Sequence, residues 1–192
     1  MGPYHAWLMG YNATTLQQVA VWNATPNGAQ GAFGKAGVPG PRQPGNLWLM
    51  IANGTFDVNT GGSDYGDSIV KLPFTNPGLK AINYFTLFNQ LQLSNSDQDL
   101  GSGGIMLLPP QNAPVPPLAT GAGKGGTTYL VNRNHPGHFH PGNDKHCSIH
   151  SSRRRHRLAQ QQLLHARVLA RNVYFIGNLD VVRQCPISGG HL

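Results

Sequence analysis

The sequence predicts an all-β fold built by repetition of short antiparallel strands, with one basic stretch set into it. Three observations carry this. The apolar runs are short and end in Gly, Pro, Asn or Asp, the residues that turn a chain. Gly 25 and Pro 15 together make up about a fifth of the 192 residues, above the usual share. An aromatic flanked by aliphatics recurs along the chain, in AWLMGYN, NLWLMIANG, TTYLVNRN and NVYFIGN. The length suffices for one domain with a core of its own.

In chain order, Ala6 to Asn12 reads as a strand, Ala13-Thr14-Thr15 as a turn, and Gln17 to Asn23 as a second strand. Gly28 to Pro44 is Gly- and Pro-rich with few apolar anchors, hence a surface loop. The organising unit is Gly45 to Leu72. Leu47 to Ala52 is a strand, Asn53-Gly54 a strong turn signal, and Ser68 to Leu72 a second strand across a Gly/Asn/Asp-rich connector. Leu79 to Phe88 is strand-like, and Asn89 to Asp99 is polar with a possible helical turn. Ile105 to Leu108 reads as a buried strand stopped by Pro109-Pro110. Leu118 to Ala122 and Thr127 to Asn132 form a hairpin across Gly-Lys-Gly-Gly. Asn172 to Gly177 and Asp180 to Cys185 repeat the two-strand theme.

Recurrence at intervals of tens of residues is how radial arrays of four-stranded sheets, the β-propellers, are built. A single β-sandwich with chance similarity among its strands is the alternative. The motifs resemble one family in particular. YNATTLQQVAVWN is similar to the end of a pyrroloquinoline-quinone-like (quinoprotein-like) repeat, with Asn12 and Thr15 where the repeat has Asp and Gly, and Trp22 as the closing aromatic. GNLWLMIANGTFD, TTYLVNRN, GTFDVNTGGSDYGDSIVKL, DLGSGGIMLLP and GAGKGGTTYLVNRN resemble secreted bacterial proteins of that type. The resemblance covers roughly residues 3–140 and 172–192. It implies a propeller of about seven or eight blades. This chain has room for about three to four four-stranded antiparallel blades, so a single partial domain is expected over 1–192, within a larger parent.

The family's dehydrogenases hold the quinone over Ca²⁺ with a catalytic Asp, adjacent cysteines and a Trp platform. Here Cys147 and Cys185 are far apart, Glu is absent and no Trp-Asp pair stands in the required setting. The resemblance therefore implies a non-catalytic scaffold or interaction module with neither pyrroloquinoline quinone nor Ca²⁺; a remnant of a quinone-dependent dehydrogenase is the alternative. Expected partners are a protein or cell-envelope component and the parent's remaining blades. The family is periplasmic or extracellular, whereas MGPYHAWLMGYN has neither the basic nor the long apolar region of a signal peptide. No apolar run is long enough to span a membrane.

The net charge of +7 is local. Lys145, Arg153, Arg154, Arg155, Arg157, Arg167 and Arg171 lie in a stretch without acidic residues, and the other seven Lys and Arg balance the seven Asp. Residues 141–171 lack the strand pattern of their flanks. An out-of-frame stretch is the preferred explanation, and an irregular or helical basic insert the rival, since Leu158, Leu163, Leu164 and Val168 fall near helical spacing. Arg153, Arg154, Arg155 and Arg157 make an anion-binding candidate for phosphates or acidic lipid, but no aromatics interleave to stack on bases, so nucleic acid is not expected. Four arginines in five positions are costly to bury, so limited trypsin digestion is expected to cut first at Arg153 to Arg157; protection there, with cutting elsewhere, would show the stretch to be integral to the fold.

Two further candidates are weak. Asp57, Asn59, Asp64 and Asp67 are hard oxygen ligands in a Gly-rich loop, as Ca²⁺ requires, but lack the EF-hand spacing and a bidentate Glu, and turn chemistry is the preferred account of them. His135, His138 and His140, with His146, His150 and Cys147 beyond, offer imidazole and thiolate for Zn²⁺ or Cu²⁺ without the spacing of a finger or zincin. GAGKGG lacks the spacing of a Walker loop and reads as a hairpin turn.

Overall fold

The computed structural model describes residues 4–34, 46–73, 78–109 and 115–144. Among these, nine strands and a six-residue helix follow in order: β1 (Trp7–Tyr11), β2 (Gln18–Asn23), β3 (Asn46–Met50), β4 (Ser68–Pro73), β5 (Asn83–Thr86), α1 (Gln90–Asn95), β6 (Ile105–Leu107), β7 (Leu118–Ala122), β8 (Thr128–Asn132) and β9 (His138–Phe139). Single 3₁₀ turns occupy Val58–Thr60 and Leu100–Gly103. The fold is all-β. The sequence-predicted strands at 172–185 and the whole of 145–171 lie outside the described residues.

The strands form three sheets: β1-β2, β3-β4-β5-β9 and β6-β7-β8. Their order in the chain is also their order in space, as β3 makes plain. Leu47, Leu49 and Ile51 point into one apolar core with Leu8, Ala20 and Trp22 of the first sheet. Trp48 and Met50 point the other way, into a second core with Ile105, Ala119, Tyr129 and Val131 of the third. The middle sheet is therefore clamped between the other two. A strand covered on both faces has no polar side to show, which is why the run Leu47 to Ile51 is apolar without interruption. Every residue in it is buried.

The same alternation runs across the register. Met50 pairs with Ile69 and Ile69 with Phe85, all in the second core, while Leu49 pairs with Val70 and Val70 with Tyr84 on the first. A slip of one residue would exchange the two faces, so register is strongly specified. The buried cross-strand pair Ser68 and Thr86 is satisfied by its own hydroxyls, 2.6 Å apart.

Turn chemistry closes the ends. Asn12 Oδ1 accepts the N–H groups of Thr14 and Thr15, both at 2.9 Å, between β1 and β2. The GAGKGG stretch is the β7-β8 hairpin turn, in which the Gly123 N–H donates to the Thr127 carbonyl at 3.1 Å and Gly126 sits at φ 81, open to glycine at no steric cost.

Two features depart from the sequence expectation. The sheets hold two, four and three strands rather than four each, and β9 joins the edge of β5 in parallel. Its two residues are held by rings: His138 stacks on Tyr84 at 4.7 Å, and Phe139 lies 5.3 Å from Phe56. The expected strand over Leu79 to Phe88 is pairing-competent only at Asn83–Thr86, because Leu79 and Ala81 pack down on the first core instead.

Candidate functional site

A cluster of polar side chains lies where the long β3-β4 connection meets the segment between α1 and β6. Asp67 closes that connection. It adopts φ 47, a left-handed conformation that Asp tolerates better than most residues, and its N–H donates to the Ala52 carbonyl at 3.0 Å. Its Oδ1 accepts the Leu100 N–H at 3.1 Å. Its Oδ2 is buried with no hydrogen-bond partner.

Asn53 stands beside it in the fold. The Asn53 N–H donates to Asp99 Oδ1 at 3.2 Å, and Nδ2 donates to Asp97 Oδ1 at 3.3 Å, while Oδ1 is buried without a partner. Lys124, from the β7-β8 turn, closes the group with ion pairs to Asp97 at 2.5 Å and Asp99 at 3.6 Å. Bonding to Asp97 holds the Lys124 ammonium above its ordinary pKa. Residues from the second and third sheets are thus sewn together through one polar knot.

Asp67 is fully buried, and burial pushes its carboxyl up to about 7; the Leu100 N–H pulls it down and Asp99 pushes it up further. The cause is elementary. A carboxylate taken out of water loses hydration that a single backbone N–H only partly replaces, so the neutral acid gains ground. The group is enclosed, so nothing outside the protein can touch it. Its bond to the Leu100 N–H fastens the β3-β4 connection to the 3₁₀ turn that precedes β6.

A row of rings runs through the first core and its margin. Phe33 stacks on Trp22 at 6.4 Å, Trp22 meets Tyr65 at 5.8 Å, Tyr65 meets Tyr84 at 5.7 Å, and Tyr84 meets Phe56 at 6.4 Å. Tyr65 and Tyr84 have their phenols raised above the ordinary value, chiefly by burial.

The carboxylates singled out in the sequence do different work from one another. Asp57 Oδ1 accepts the Asp64 N–H at 2.8 Å, and Asp64 Oδ1 accepts the Asn27 N–H at 3.0 Å, so both brace loops. Asn59 lies exposed in the 3₁₀ turn, and Asp67 belongs to the knot. His135, His138 and His140 are all exposed; the His135 N–H donates to Asn132 Oδ1 at 3.4 Å and His138 stacks on Tyr84. Among the described residues, no three His, Cys, Asp or Glu form a group that could hold a metal ion. Arg153, Arg154, Arg155 and Arg157, with both cysteines, lie outside the described residues. Sequence reasoning missed Asn53, Asp97, Asp99 and Lys124 as one cluster; their only local signal is the pair of aspartates in SDQDLG, and their partners are distant in the chain.

Among the described residues, no helix is long and apolar enough to cross a membrane. Compared with protein-family models, with curated proteins and with solved structures, the chain finds no significant match in any of the three.

Proposed function

We propose that the chain is a non-catalytic scaffold or interaction module of the pyrroloquinoline-quinone-like repeat type, and part of a larger secreted bacterial protein whose further blades complete a β-propeller. The observation that carries the reading is the stacking of antiparallel sheets in chain order, with β3 apolar on both faces. Sheets laid face to face in succession are what repetition of a blade produces. The carboxylates point the same way: Asp57, Asp64 and Asp67 accept backbone N–H groups and brace the chain. On this reading the sheets supply a rigid frame, and a protein or cell-envelope partner is met by the loops at its rim.

Reconstitution with pyrroloquinoline quinone and Ca²⁺, followed by a dye-reduction assay with alcohols and sugars, tests the reading. The expected result is no turnover above that of the untreated chain. Quinone-dependent turnover would overturn it in favour of a dehydrogenase remnant.

A further inference from the structure

The first sheet breaks the rule that an antiparallel sheet with one face on a core turns a polar face outward. Its inner face carries Leu8, Ala20 and Trp22, packed on the first core. Its outer face carries Trp7, Met9 and Tyr11 on β1 and Val19 and Val21 on β2, which are 52%, 49%, 55%, 39% and 41% exposed. Met9 lies opposite Val21 in the register, and the Tyr11 hydroxyl reaches Met9 Sδ at 3.6 Å, so these side chains share one continuous surface. No Asp, Glu, Lys or Arg occurs anywhere in 4–34, so no charge guards the face.

We propose that this face is a self-association surface, covered in solution by the same face of a second copy of the chain. Three features select that occupant. The first is area: the exposed parts of these five side chains come to roughly 500 Å², the apolar centre of an interface of about 800 Å² per partner once a rim is added. The second is relief. The bulky side chains Trp7, Met9 and Tyr11 stand on β1, and the smaller Val19 and Val21 on β2, which gives a ridge beside a furrow. A two-fold axis running along the strands sets the ridge of each copy over the furrow of the other, an isologous contact that closes on itself. The third is charge. The chain carries +7 overall, yet two such faces meet without bringing any charged side chain of 4–34 together. The surface is distinct from the rim loops of the proposed function, but it ends the stack of sheets, so on that reading a further blade of the parent protein competes with the second copy for it.

Sedimentation velocity of the full chain over a range of about 1 to 100 µM is the test. The expected result is a monomer–dimer equilibrium, weakened by at least about tenfold in Met9→Lys and in Val21→Lys, and unchanged in Leu91→Lys, a control in exposed α1. Should the lysine variants fail to fold, iodide quenching of tryptophan in the wild-type chain decides: quenching should fall as the dimer forms, because Trp7 is the exposed tryptophan whereas Trp22 and Trp48 are buried. A monomer throughout would overturn the proposal and hand the face to a different partner. So would a dimer indifferent to both substitutions, open-ended aggregation, or quenching that does not change with concentration.

Discussion

Raising the pH from about 4 to about 8 is expected to cost the folded chain up to about 4 kcal/mol through Asp67 alone. The carboxyl ordinarily titrates near 3.8 and is pushed up to about 7 in the fold. The folded state therefore holds a proton that the unfolded state gives up between those values. Below pH 4 both states are protonated and nothing is lost; as the pH climbs to about 7 the folded chain must either keep its proton at increasing cost or bury a charge. Asp67→Asn removes the titration and leaves an oxygen to accept the Leu100 N–H. Urea unfolding at a series of pH values should show the variant overtaking the wild type by about 2 kcal/mol or more at pH 8 and losing that advantage on acidification. A difference between the two proteins that stays constant from pH 4 to 8 would show that Asp67 is not the enclosed acid described.

Truncating Trp48 to Ala is expected to remove about 3–5 kcal/mol, a large share of the roughly 5–15 kcal/mol that stabilises an ordinary domain. The indole is 1% exposed and stands at the centre of the second core, where Met50, Phe85 and Ile105 belong to the same cluster. Lys71 Nζ lies 5.5 Å from the ring centroid while donating to the Arg133 carbonyl at 3.0 Å, so the ring also steadies a cation whose pKa burial has already lowered. Loss of the ring opens a cavity and leaves that ammonium over empty space. Leu91→Ala, at a side chain 65% exposed on α1, should change stability by less than about 0.5 kcal/mol. Chemical denaturation of the two variants measures both; a Trp48→Ala protein as stable as Leu91→Ala would mean that the middle and third sheets do not share a packed core.

How much of this was legible in the sequence follows from how local each signal is. β3 and β4 were readable because an unbroken apolar run, an Asn-Gly turn and a second run lie within one short stretch. The helical turn at α1 and the β7-β8 hairpin were readable for the same reason. β9 was not. His138 sits at φ 60 just after Pro136-Gly137, which argues against a strand, and what fixes it is Tyr84, a ring from a different part of the chain. Asp67 reads in the sequence as a carboxylate in a turn-rich loop and a weak metal-ligand candidate. Its actual setting is decided by Leu100, 33 residues onward, and no local pattern encodes a neighbour at that separation. Asn53 was legible as a turn residue, but its buried amide depends on Asp97 and Asp99 in the same non-local way.

The parallel return of β9 has a consequence for the order in which the protein can be made. The chain leaves the middle sheet at Thr86, lays down α1 and all of β6, β7 and β8, and only then comes back to pair with β5. A ribosome must therefore have synthesised past Phe139 before that edge can be capped. Until then the nascent β5 presents bare backbone donors and acceptors beside Tyr84 and Phe85, at the moment when neighbouring chains on a polysome are closest. The edge is protected by haste rather than by charge: α1 and the third sheet are built of near neighbours in sequence, whose contacts close fast, and the two residues that end the exposure, His138 and Phe139, follow shortly after β8.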